Sequence, residues 1–132
     1  MGTPVLSPEW MKSYAELWNT TDATREGLEK LSMVIEYRLA EDESRAGQIE
    51  VIAGEVVRAG APAEGVKPDF LLTAKVETWQ RLGAGELPAA KAMVTRKVKF
   101  RGSMAVALAN LPGLEAAMKM FGQIDDTDWS VG

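Results

Sequence analysis

From Asp69 to Phe121 the chain reads DFLLTAKVETWQRLGAGELPAAKAMVTRKVKFRGSMAVALANLPGLEAAMKMF, and this stretch limits the possible folds more than any other. Phe70, Leu72 and Ala74 alternate with Leu71, Thr73 and Lys75, the period of two that marks a strand with one buried face. Val76, Trp79 and Leu82 then repeat at helical spacing until Gly83-Ala84-Gly85 breaks the helix. Pro88 suits the first turn of a second helix, in which Leu87, Ala90, Met93 and Val94 share a face. Val98 and Phe100 alternate with Lys97, Lys99 and Arg101 in a further strand. Met104, Ala107, Leu108 and Leu111, continued by Leu114, Ala117, Met118 and Phe121, line one side of the last helical region. Pro112 inside that region removes a backbone donor and clashes with the preceding turn. A kink, or two helices meeting at an angle, is therefore expected, with Asn110 placed to cap the second. The apolar residues outnumber what one thin helix-on-sheet layer needs, and methionine adapts to irregular spaces. Such a surface either closes on itself or closes around an apolar guest.

Upstream, Ser7-Pro8-Glu9 forms a helix start: a capping hydroxyl, a proline for the first helical position and an acid at the positive end. Trp10, Tyr14, Leu17 and Trp18 give that helix, at about 7–19, one apolar face. Two tryptophans on a terminal helix point to docking onto the domain, with a partner contact as the alternative. Met33, Ile35, Tyr37 and Leu39 alternate with Val34, Glu36, Arg38 and Ala40 in a strand, and Glu41–Ser44 reads as a solvated turn. That acidic turn lacks the loop glycine and the later glutamate of a calcium site. Gln48–Ala53 and Glu55–Ala59 flank Gly54, which suits a tight hairpin, and Gly60–Lys67 is a loop. The order of elements fits an α+β domain spanning 1–132: a five-stranded, mainly antiparallel sheet with helices on one face.

The absences narrow function. The chain has no Cys and no His, which excludes a thiol nucleophile, an imidazole base and the usual zinc sites. Glu36 and Glu55, placed on neighbouring strands, are the nearest approach to an acid–base pair and are better explained as solvent-facing residues opposite Arg38 or Arg58. The GAGE segment lacks the third glycine of a dinucleotide fingerprint and the Lys-Ser/Thr of a phosphate loop. No catalytic residue, metal or cofactor is expected. A net charge of −4 argues against nucleic acid as a partner and limits membrane contact to a transient one. No apolar run approaches the ~20 residues that span a bilayer, and MGTPVLSPEWMKSY lacks the pattern of a secretory signal. A cytoplasmic protein is expected. Lys91, Arg96, Lys97, Lys99 and Arg101, with no acid among them, form either a solvated strand face or a basic rim for an anionic head group.

The strand FLLTAK, the helix with VETWQRL, the break before AAKAMV and above all KVKFRGSMAVALANL resemble the sterol carrier protein type 2 family. There a strand of the form K-φ-K-φ-x-G-[NSD]-M, with φ apolar, leads into the final helix, and Lys97 to Met104 follow that order. The resemblance runs from about Val34 to Phe121, leaving the helix of Trp10 and Trp18 outside it. It implies an apolar tunnel between sheet and helices that binds a fatty acid, fatty acyl-CoA, sterol or isoprenoid-like lipid without altering it. The candidate lining is Phe70, Leu72, Trp79, Leu82, Met93, Phe100, Met104, Leu108, Leu111, Met118 and Phe121. The alternative is an accessory interaction module of lipid or quinone metabolism with a collapsed pocket, in which Trp10 or Trp18 contacts a partner. A homodimer is compatible with either.

Overall fold

The structure, a computed structural model, describes residues 2–131. Strand β1 (Thr3–Pro4) leads into helix α1 (Pro8–Thr20), whose first turn is capped where the Ser7 hydroxyl accepts from the Trp10 amide at 3.2 Å. α1 buries Trp10, Met11, Tyr14 and Trp18, while Leu17 is only half-buried. A single turn, α2 (Asp22–Arg25), follows. Strands β2 (Met33–Leu39), β3 (Asp42–Ile52) and β4 (Glu55–Gly60) then form an antiparallel meander. Its first turn is tighter than expected. Asp42 already pairs with Leu39, so only Ala40 and Glu41 turn, and Glu43 and Ser44 belong to β3. The second turn has positive φ at both Ala53 (51°) and Gly54 (80°), the twist a two-residue hairpin favours.

Beyond a long loop come β5 (Phe70–Ala74), α3 (Val76–Gly83), α4 (Ala89–Val94) and β6 (Val98–Arg101). The main sheet has the order β4-β3-β2-β5-β6; only β2 and β5 pair in parallel. To reach β5 from β4 the chain must cross β3 and β2. It does so on the face away from the helices, where the Ala63 amide donates to Gln48 Oε1 at 3.1 Å, and it rejoins the sheet where the Asp69 amide donates to the Val34 carbonyl at 2.8 Å.

This crossing explains a departure from the expected polarity of the sheet. Glu36 is only 3% exposed and Gln48 is fully buried, although both point away from the helices. Arg38 donates to Glu36 Oε2 at 2.8 Å and Gln48 Nε2 to Oε1 at 3.0 Å, while Arg58 Nη2 donates to Gln48 Oε1 at 2.8 Å. Buried polar atoms need such partners, and among the described residues no buried side-chain nitrogen or oxygen lacks one. Glu36 is therefore not solvent-facing. Nor does it neighbour Glu55: β3 lies between their strands, and Glu55 meets Arg25 at 3.5 Å.

The bent terminal helix is two helices, α5 (Met104–Ala109) and α6 (Leu111–Lys119), followed by a 3-10 turn (Met120–Gly122) and strand β7 (Thr127–Asp128), which pairs in parallel with β1. Asn110 stands at the junction but makes no side-chain cap; its Nδ2 donates back to the Val106 carbonyl at 2.8 Å. α4 starts one residue after Pro88, and its Ala89 amide is capped from α6, by Glu115 Oε2 at 2.7 Å. No helix among the described residues is long and apolar enough to cross a membrane.

Candidate functional site

The face of the sheet under the helices carries Ile35, Tyr37 and Leu39 of β2, Phe70, Leu72 and Ala74 of β5 and Val98 of β6, all buried. The alternation seen in the sequence produces this face, and the residues between them in each strand fall outside. Across from it sit Trp79 and Leu82 of α3, Met93 of α4, Met118 of α6 and Phe121 of the 3-10 turn that follows it. Phe121 is the hub. Its ring stacks on Trp79 with centroids 4.4 Å apart and planes inclined by 7°, and it meets Trp10 at 5.0 Å, Tyr37 at 5.5 Å and Tyr14 at 5.6 Å. Offset and edge contacts of this kind add roughly 0.5–1.5 kcal/mol each beyond area burial.

Of the expected lining, Phe70, Leu72, Trp79, Leu82, Met93, Met118 and Phe121 thus come together in one layer. Phe100 is half-buried at its rim, edge-on to Phe70 at 4.9 Å, and Leu111 is half-buried at the start of α6. Met104 and Leu108 are not in the layer: they are 45% and 56% exposed. On α5 only Ala107 is buried. A six-residue helix makes fewer than two turns, so its spacing did not fix which side would face inward. The same holds for Val94, expected on the inner side of α4 and found 82% exposed.

Residues outside the expected lining belong to the layer as well. Trp10, Met11, Tyr14 and Trp18 of α1 are fully buried. The tryptophans are therefore docking residues and not partner contacts; Trp18 Nε1 donates to the Gly54 carbonyl at 2.9 Å and Trp10 Nε1 to Thr127 Oγ1 at 3.0 Å. Within the layer the Tyr14 and Tyr37 hydroxyls pair with one another. The Tyr14 hydroxyl donates to the Ala117 carbonyl at 2.9 Å, which leaves Tyr37 to donate to Tyr14, also at 2.9 Å. Burial pushes both phenols well above their ordinary value, and the neighbouring Tyr37 adds to the shift of Tyr14. Both stay neutral in the physiological range, and the layer offers no charge for chemistry. The inward position of Tyr37 and the apolar face of α1 that carries Tyr14 were both legible in the sequence; that the two hydroxyls meet was not.

Clefts open elsewhere among the described residues. One of about 760 Å³, lined by Arg38, Lys67, Pro68, Asp69, Leu71, Arg101 and Gly102, lies on the outer face. Another of about 320 Å³ continues along β6 past Lys97 and Lys99. Lys99 pairs across the sheet with Thr73 and Arg101 with Leu71, both outward positions. The basic strand therefore does not face the apolar layer, and a head group held inside that layer would not meet it. Among the described residues no cluster of acids has the makings of a metal site.

With this geometry in place, the chain can be compared with known proteins. A family model described as the SCP-2 sterol transfer family matches residues 12–112. The chain belongs to that family. The SCP-2 match begins inside α1, so this helix, expected to stand outside the resemblance, is largely within it. No curated protein sequence matches the chain significantly. Among solved structures, a crystal structure of sterol carrier protein 2 superposes with a TM-score of 0.79 at 17% identity, covering 91% of this chain and 98% of that one. A conserved hypothetical protein from Thermus thermophilus, described as possibly a sterol carrier protein, gives 0.71 at 17% identity, with 91% and 93% covered. A ubiquinone synthesis protein, UbiJ-SCP2, gives 0.61 at 10% identity, with 92% and 94% covered. At these identities the likeness shows a common SCP-2 fold.

Proposed function

We propose that this protein binds a hydrophobic molecule of the acyl-chain, sterol or isoprenoid class between its helices and the β5–β6 end of the sheet, and carries it unaltered. The observation that carries the reading is the incomplete seal at that end. The apolar layer extends from Phe121 and Trp79 through Leu72 and Phe70 to half-buried Phe100, and next to it α5 buries only Ala107 and leaves Met104, Val106 and Leu108 in solvent. Moving α5 uncovers little, because Ala107 is its one buried residue. Local opening of such a segment costs at most a few kcal/mol, whereas each methylene placed in the layer yields about 0.8 kcal/mol. Roughly five methylenes offset the movement, and a longer chain leaves a surplus. Family membership supports the same ligand class.

The closed packing of the layer around Phe121 favours a second reading, an accessory module that no longer accepts a guest, for which the likeness to a ubiquinone synthesis protein is a parallel in fold. One experiment separates them. Mass spectrometry of organic extracts from gently purified protein, together with titration of a fluorescent fatty acid, is expected to show a retained lipid and saturable uptake. Uptake should weaken when Leu72→Trp fills the layer. Absence of both retained lipid and uptake refutes the carrier reading and leaves the accessory one.

A further inference from the structure

Between Glu86 and Glu115 the chain contains no acidic residue, although the whole protein carries 19 acids against 15 bases. The charged residues of that segment are Lys91, Arg96, Lys97, Lys99 and Arg101, and all are exposed. Among the described residues none of them forms an ion pair; the bridges present use Arg25, Arg38 and Arg58. The same segment holds an unusual share of exposed large apolar side chains: Val94 at 82%, Leu108 at 56%, Met104 at 45% and Val106 at 36%. The elements that carry them are consecutive. α4 touches β6, β6 is the edge strand of the sheet, and Gly102-Ser103 turns directly into α5.

We infer that this α4–β6–α5 edge is a docking surface for an anionic lipid bilayer. Unpaired cations beside unshielded apolar side chains match the two layers of a membrane surface, phosphate-rich head groups above the start of the acyl region. The chemistry suits no equally simple soluble target: a small anion has no use for Met104, Val106 and Leu108, and five exposed cations without an ion pair, against Asp69 and Glu43 in the adjoining clefts, orient a net-acidic molecule toward negative charge. The surface lies at the same end as the incomplete seal of the apolar layer. Docking would therefore place α5 at the bilayer where a guest enters, so the usefulness of the surface rests on the carrier reading, while its existence does not.

Co-sedimentation with phosphatidylcholine vesicles, with and without phosphatidylglycerol, tests this on the whole protein without added ligand. Binding is expected only with phosphatidylglycerol and is expected to fall as salt is raised. Each basic residue near such a surface contributes roughly a fivefold factor in partitioning, so Lys97→Gln, Lys99→Gln and Arg101→Gln together should weaken binding about a hundredfold. Met104→Ser with Leu108→Ser should weaken it further at a given charge, and Lys12→Gln on α1 should leave it unchanged. All are exposed positions, and the salt titration of the unaltered protein provides a readout independent of any variant. Equal binding to neutral vesicles, no binding at low salt, or an unaffected triple variant overturns the proposal. So does a dimer in sedimentation velocity that the α5 substitutions dissociate, or retention by polyglutamate without vesicle binding. Fatty-acid uptake without vesicle binding refutes the docking surface alone; vesicle binding without uptake refutes the carrier reading alone.

Discussion

Replacing Glu36 by glutamine changes one atom in a carboxylate that is buried on the side of the sheet away from the helices. The carboxylate accepts from Arg38 at 2.8 Å through Oε2 and from Gln48 at 3.0 Å through Oε1. An amide has one acceptor oxygen, so its NH2 group must face either the guanidinium or the Gln48 amide, donor against donor. The variant loses one hydrogen bond to a charged group or leaves the fully buried Gln48 donor without a partner, either of which costs roughly 2–3 kcal/mol. With a urea dependence of about 2 kcal/mol/M, the midpoint of unfolding should fall by about 1–1.5 M. Glu50→Gln is the matched control. Its bridge to Arg58 spans 3.4 Å at a partly exposed site, and such pairs are worth less than about 1 kcal/mol. Equal midpoints for the two variants would mean that water reaches Glu36 and that the crossing loop does not seal this face. Hydrogen exchange adds a second readout: Gln48→Leu removes the acceptor of the Ala63 amide, and exchange there should accelerate before any change at the β2–β3 ladder.

Other consequences are more local. Tyr14 and Tyr37 keep their protons in the folded state to higher pH than in the unfolded one. Stability should therefore be intact below about pH 10, the unfolded value, and decline as pH rises above it; reversible tyrosinate formation near pH 10 with intact near-UV circular dichroism would contradict this. A Cβ on Gly122 would press into the Gly83 carbonyl oxygen, a backbone atom that cannot swing aside. Gly122→Ala should cost about 1–3 kcal/mol and shift the Trp79 fluorescence as Phe121 leaves its ring, whereas a melt within error of the parent would refute the contact. Met93→Ala should destabilise by about 2–5 kcal/mol, while Val94→Ala should change stability by less than about 0.5 kcal/mol. Similar losses in thermal denaturation would show that Val94 is covered in solution.

How far the fold was legible in the sequence depended on the length over which a pattern repeats. In β2 and β5 several inward residues alternate with outward ones, and the expected strands Met33–Leu39 and Phe70–Ala74 match the observed ones. The proline at 112 correctly divided the last helical region. Short helices were another matter. On α4 and α5 too few residues repeat to fix the inward direction, which is why Val94, Met104 and Leu108 were expected inside. The polar network was hidden for a different reason. Glu36 and Gln48 sit at outward positions of their strands, and nothing local shows that Gly60–Lys67, a loop without periodicity, returns across that face to cover them. The parallel pairing of β2 with β5 is equally nonlocal, since it depends on where that loop comes down.

That pairing also governs the order in which the molecule can assemble. The meander β2-β3-β4 is built from neighbours in the chain and can close early, whereas β5 must wait for its connector to span two strands, a step that contact distance along the chain makes slow. Until then Tyr37 lacks its cross-strand partner Leu72 and the floor beneath Phe121 is incomplete. A chain caught before that step would carry a formed three-stranded meander with the edge of β2 still open to pairing.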